Sequence, residues 1–89
     1  MYKVVLVKDC YFTTVATTDD YEEAIETFII VGRANDYDTT GIKTCLFEEN
    51  GIVSKCLGCY QPDDSIGNFQ FTTFGSFYDD FMAICDLCI

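Results

Sequence analysis

Four of the six cysteines fall into two matched pairs, Cys56-Leu-Gly-Cys59 and Cys85-Asp-Leu-Cys88, with 25 residues between them. A tetrahedral structural zinc can be held by two such pairs, because each delivers two thiolates from one turn of chain. Cys56, Cys59, Cys85 and Cys88 are therefore candidate zinc ligands, and the chain would then be a metal-stabilised structural or adaptor domain. Three features favour packing instead. The first pair closes a strand-like run and lacks the small residues after its second cysteine that tighten a zinc knuckle. The second pair stands on the apolar stripe of a C-terminal helical pattern, where a free cysteine behaves as a small hydrophobe. The composition is also 49% apolar, enough to build a core without a metal. The expectation is thus no cofactor, with zinc as the alternative.

Cys10 and Cys45 stand outside the pairs, and packing is their default role. A nucleophilic cysteine wants a basic neighbour, and the chain has no histidine. Lys55, beside Cys56, is the one adjacent base. Other catalytic signatures are missing as well: there is no Gly-x-Ser-x-Gly elbow, no P-loop and no dinucleotide glycine pattern. The expectation is a protein that is not an enzyme.

Carboxylates dominate the remaining chemistry. Fifteen acids against five bases give a net charge of −10, so ten acids lack a base even if every base takes one. Such a field repels nucleic acid and anionic membranes and attracts basic proteins. Asp19, Asp20, Glu22, Glu23, Asp79 and Asp80 can be explained locally, because acids in the first turn of a helix complement its positive end. Asp9, Glu26, Asp36, Asp38, Glu48, Glu49, Asp63, Asp64 and Asp86 fall outside that account. Loops and turns have a use for several of these aspartates, but Glu48-Glu49 at a hairpin tip has no such reason. The segment Asp36-Tyr-Asp38-Thr-Thr40-Gly41 opens like a calcium loop. Its twelfth position is Phe47 where a bidentate Glu is required, so a turn is the better reading.

Aromatics crowd the C-terminal third: Phe69, Phe71, Phe74, Phe77, Tyr78 and Phe81. A short strand and a short helix cannot easily bury them all. Phe74 or Tyr78, left exposed beside Asp79 and Asp80, would make an interface anchor inside an acidic rim.

The elements that must position these residues are legible from periodicity. Tyr2–Lys8 and Tyr11–Thr17 read as strands of a hairpin turning at Lys8-Asp9-Cys10. Asp19–Ala34 carries Tyr21, Ala24, Ile25, Phe28, Ile29 and Gly32 at helical spacing, with Asp19 and Glu22 placed as a capping box and a left-handed stop near Asn35. A loop at Asp36–Gly41 follows. Ile42–Phe47 and Ile52–Cys59 form a second hairpin around Glu48-Glu49-Asn50-Gly51. Gln61–Asn68 is a loop and Phe69–Thr73 a short strand. Ser76 caps a final helix with Phe77, Phe81, Ile84, Cys85 and Cys88 on its apolar stripe. The order is ββαβββα in a single α+β domain spanning 1–89, a mostly antiparallel sheet with two helices on one face.

The N-terminal apolar run is too short for a signal peptide, and nothing approaches the roughly 20 apolar residues of a membrane span. The expectation is a cytoplasmic protein with reduced thiols. Charge, size and missing catalytic chemistry together imply a protein that binds a basic, nucleic-acid-handling surface of another protein. Its negative charge would stand in for a phosphate backbone. Inhibitors of the anti-CRISPR or anti-restriction type, encoded by phages and mobile elements, share this size and charge. The expected contact residues are Glu26, Asp36, Asp38, Glu48, Glu49, Asp63, Asp64, Phe74, Tyr78, Asp79 and Asp80. Homo-oligomerisation is compatible with the same composition.

Overall fold

The β-branched run at the N-terminus becomes an interior strand of an antiparallel sheet. The structure, a computed structural model, describes residues 1–8, 11–35, 37–67 and 71–74. Strand β1 (Tyr2–Lys8) pairs on one side with β2 (Tyr11–Thr18) and on the other with β3 (Lys43–Asn50). Next to β3 runs β4 (Val53–Cys59), and β5 (Phe71–Phe74) closes that edge, giving the order β2-β1-β3-β4-β5. Helix α1 (Tyr21–Ala34) connects β2 to the β3 side, and α2 (Tyr37–Thr40) is a single turn before β3. The fold is α+β with an antiparallel sheet, as the periodicity implies. The expected final helix, with Tyr78, Asp79, Asp80, Cys85 and Cys88, lies outside the described residues, as do Asp9, Cys10 and Asp36.

Alternation along the strands sorts two apolar layers. Val4, Leu46, Ala24 and Phe28 form one buried cluster, flanked by Tyr2, Ile25, Ile29, Val31, Leu57 and Tyr60. This is the face on which α1 lies. The residues of opposite parity, Val5, Val7, Cys45 and Phe47, join Cys56 and Cys59 in a second buried cluster. Burial on both faces explains why β1 reads as a continuous apolar run rather than a strict alternation.

Both hairpins depart from regularity in ways that matter below. In the first, the register passes from Val4↔Ala16 to Val5↔Thr14, so Val15 is an inserted bulge residue on the edge strand. In the second, β3 continues through Glu48, Glu49 and Asn50, and Asn50 pairs with Val53. The loop is therefore Gly51-Ile52, not the expected Glu48–Gly51 tip. Gly51 has φ +61°, while Ile52 keeps a negative φ. That combination is a type II′ turn, whose first position wants glycine.

Helix α1 starts one residue later than expected. Asp20, not Asp19, is the N-cap, and its carboxylate accepts the Glu22 N–H at 3.0 Å. Thr18 Oγ1 accepts the Asp20 N–H at 3.1 Å and donates to Glu23 Oε2 at 3.3 Å. The usual box, in which the third helical residue reaches back to the cap N–H, is thus relayed through a threonine hydroxyl. The helix ends at Asn35, but in extended geometry (φ −123°) rather than the left-handed one expected. The Asn35 side chain does the capping, donating from Nδ2 to the Val31 carbonyl at 2.9 Å. Ala24, Phe28 and Gly32 form the buried line of the helix. Tyr21, expected on that stripe, is 47% exposed and meets Tyr2 edge-on at 5.2 Å between ring centroids. Among the described residues no helix is long and apolar enough to cross a membrane.

Candidate functional site

The acidic residues divide into those with local partners and those facing solvent without a base. Glu49 pairs with Lys3 Nζ at 2.7 Å, across the β1–β3 ladder. Glu48 stands opposite Lys55 in the β3–β4 register and accepts from Asn50 Nδ2 at 2.9 Å. Both residues of the supposed tip are therefore placed beside bases. Asp63 accepts from the Ser65 hydroxyl at 2.5 Å and the Ser65 N–H at 3.2 Å. These bonds hold its carboxyl below the usual carboxylate range.

Asp64 is the most engaged acid among the described residues. It adopts the left-handed conformation at φ +64°, which Asp tolerates better than most residues. Its two oxygens receive the Arg33 guanidinium as a fork, Nε at 3.1 Å and Nη2 at 2.5 Å. The Tyr60 hydroxyl donates to the same carboxylate. The Arg33 and Tyr60 hydrogen bonds depress the Asp64 pKa, and the same contacts raise that of Arg33. Tyr60 is raised as well, because its proton is held by Asp64. The Gln61–Gly67 loop is in this way clasped to the C-terminal end of α1. Asp38 is exposed on α2, and Phe74 is the last residue of β5.

Helix α1 carries acids that lack a base, although Glu23 accepts from the Thr18 hydroxyl. Glu22, Glu23 and Glu26 are exposed, and among the described residues none of them has a base within 4.0 Å. Asp19 sits beside the N-terminal amine at 3.9 Å with its side chain 88% exposed. At a rise of about 1.5 Å per residue, Asp20, Glu22, Glu23 and Glu26 set four carboxylates within about 9 Å of axis. One negative charge per 2–3 Å lies, roughly, between a single DNA strand at 3.4 Å and the duplex at 1.7 Å. Ile30, 67% exposed, continues the Glu22–Glu26 line by one further helical step. An apolar side chain at the end of an acidic row is the kind of anchor expected of Phe74 or Tyr78, found here on a different element. The sequence signal was present: Ile30 is the large apolar residue of α1 that falls on its polar side.

Cys56 and Cys59 are buried on β4, and Cys45 of β3 joins them. Cys45, which stands outside the sequence pairs, is the direct cross-strand partner of Cys59. Its thiol also hydrogen-bonds Cys56, which lowers the Cys56 pKa against the cost of burial. Burial pushes the Cys59 thiol up, opposed by the charge of nearby Lys43. Among the described residues no group of three or more His, Cys, Asp or Glu is arranged to hold a metal ion.

Beside Cys59 opens a groove of about 400 Å³, walled by Tyr37, Lys43, Thr44, Tyr60 and Pro62. The Lys43 ammonium lies over the Tyr37 ring, 5.4 Å from its centroid. Thr44 is 3% exposed, and its buried hydroxyl has no hydrogen-bond partner among the described residues. No protein-family model matches this chain, and neither a curated protein nor a solved structure matches it.

Proposed function

We propose that the protein works by binding, with the outer face of α1 docking on a basic surface of a nucleic-acid-handling partner. One observation carries this reading. Most acids of the sheet and of the Gln61–Gly67 loop have local partners, whereas Glu22, Glu23 and Glu26 form an exposed row without a base within 4.0 Å among the described residues. A row of this density imposes self-repulsion on the helix, which a partner's lysines and arginines would relieve. Ile30 supplies the apolar contact that fixes register, and the carboxylates supply on-rate and selectivity. The acids expected from the sequence at Glu48, Glu49, Asp63 and Asp64 serve the fold first on this reading. Glu26 is the residue common to both sets. An inhibitor that occupies a DNA- or RNA-binding groove is the class of protein that fits.

The test is capture of partners from a lysate at low and high salt, with the intact chain and a Glu22→Lys/Glu26→Lys variant as baits. Retention of a nucleic-acid-binding protein that weakens with salt and with charge reversal supports the reading. Retention indifferent to both, or partners without a basic surface, overturns it.

A further inference from the structure

The three buried thiols do more than fill space. We propose that Cys45 and Cys59 form a reversible cross-strand disulfide when a small hydroperoxide reaches Cys59 through the adjoining groove.

The backbone carries the first part. Cys45 and Cys59 are directly opposed in the β3–β4 ladder. The next pair, Thr44 and Tyr60, is hydrogen-bonded, with the Tyr60 N–H donating to the Thr44 carbonyl at 2.8 Å. Antiparallel pairs alternate, so Cys45 and Cys59 occupy a non-hydrogen-bonded site, where Cα atoms lie about 4.5 Å apart and side chains are closest. The Cys59 carbonyl confirms this by turning away from β3 to accept the Gly67 N–H at 2.6 Å. Disulfides span Cα separations of about 4.4–6.8 Å. Cys56 is opposite Phe47, beyond the register slip that leaves Leu57 as an extra residue of β4, and is not directly opposed to Cys45. Cys56 hydrogen-bonds the Cys45 thiol, but the directly opposed residue is Cys59.

Access carries the second part. Cys45 and Cys56 have no exposed surface, while Cys59 keeps 9% and lines the groove. A peroxide small enough for that space meets Cys59 first. Gln61 Nε2 lies 3.6 Å from Cys59 Sγ as a donor, and Lys43 adds positive charge nearby. Both offset part of the burial that raises the Cys59 thiol, and so act in favour of the thiolate that must attack.

The chemistry balances in two steps. Cys59 sulfur attacks the peroxide, the O–O bond breaks, and the products are a sulfenic acid and one alcohol or water. Cys45 sulfur then attacks Cys59 sulfur, the S–O bond breaks, and the hydroxide leaves as water with the Cys45 proton. Two electrons pass from the two thiols to the peroxide. The bond ties β3 to β4 beside the groove.

The test is treatment of the reduced, intact protein with hydrogen peroxide, followed by thiol alkylation and peptide mapping without reduction. The expected product is two hydrogens lighter, carries a Cys45–Cys59 linked peptide and returns to the thiol form with dithiothreitol. A Cys45→Ser variant should instead accumulate a Cys59 sulfenic acid trapped by dimedone. A link between other cysteines, or oxidation of Cys59 that proceeds to sulfinic acid without a link in the unmodified chain, overturns the proposal. Because the map is read on the unmodified protein, it decides the matter even if the variant fails to fold.

Discussion

The ring of Tyr60 lies against Gly32 of α1 so closely that a Cβ on residue 32 would sit 2.2 Å from ring carbon Cγ. The ring also meets Phe28 edge-on, with centroids 5.9 Å apart. Glycine in a helix interior costs about 1 kcal/mol relative to alanine. Here it is what lets the sheet reach the helix.

Gly32→Ala should therefore destabilise the protein despite the gain in helix propensity. The blocked atom is the base of the ring, next to its own Cβ, so a rotamer change at the far end cannot relieve the clash. Overpacking of this kind costs about 1–3 kcal/mol, and urea unfolding measures it. A stabilised variant would mean that Tyr60 can leave the helix without loss.

The clasp beneath this contact makes stability depend on pH at both ends. Asp64 is depressed in the fold, so its contribution is present above the ordinary carboxylate range and is lost as pH falls through its lowered value. Tyr60 is raised, so its contribution is present below its ordinary value of 10.0 and is lost as pH rises through the higher folded one. Asp64→Asn keeps a residue that tolerates positive φ but removes the charge. It should flatten both limbs of the stability–pH curve, read from urea midpoints between pH 2 and 11. Unchanged limbs would show that the loop holds to α1 by packing alone.

Thr44→Val tests the groove wall. The substitution keeps the shape and deletes a buried hydroxyl that has no partner among the described residues. Relief of that desolvation should stabilise the fold by about 1 kcal/mol or more. Loss of stability would place a bound water or ligand on the hydroxyl.

Charge reversal separates fold from contact. Glu22→Lys with Glu26→Lys should cost at most about 1 kcal/mol of stability, through the helix N-terminus, while weakening partner capture severely at low salt. Glu48→Lys with Glu49→Lys should do the opposite, because it sets lysine against Lys3 and Lys55. Thermal unfolding alongside capture distinguishes the pairs.

How far the sequence reached follows from the range of each interaction. The hairpins, the main helix and its buried line of Ala24, Phe28 and Gly32 are encoded by neighbours, and they were legible. The helix cap slipped by one residue because Asp19 and Asp20 offer the same chemistry and only Thr18 selects between them. The second turn moved because Gly51 alone meets the positive φ, leaving Asn50 in the ladder. Contacts made across the fold left no local trace. Arg33 and Asp64 are 31 residues apart, Glu49 finds Lys3 on another strand, and Cys45 meets Cys59 only through register. On the proposed reading, those long-range pairings take the sheet's carboxylates out of the contact face and leave α1.

The strand order β2-β1-β3-β4-β5 also sets a timetable. The β3–β4 hairpin closes through the two-residue loop Gly51-Ile52, but β1 meets β3 with the whole of α1 between them, from Tyr2↔Glu48 to Val7↔Lys43. Local pairings form in about 1–10 µs, whereas this central seam must first close a long loop. The pairing of β1 with β3 is then the expected slow step of folding. Val5→Ala, at the seam, should slow refolding in stopped-flow measurements, and Ile52→Ala, at the hairpin tip, should leave the refolding rate alone.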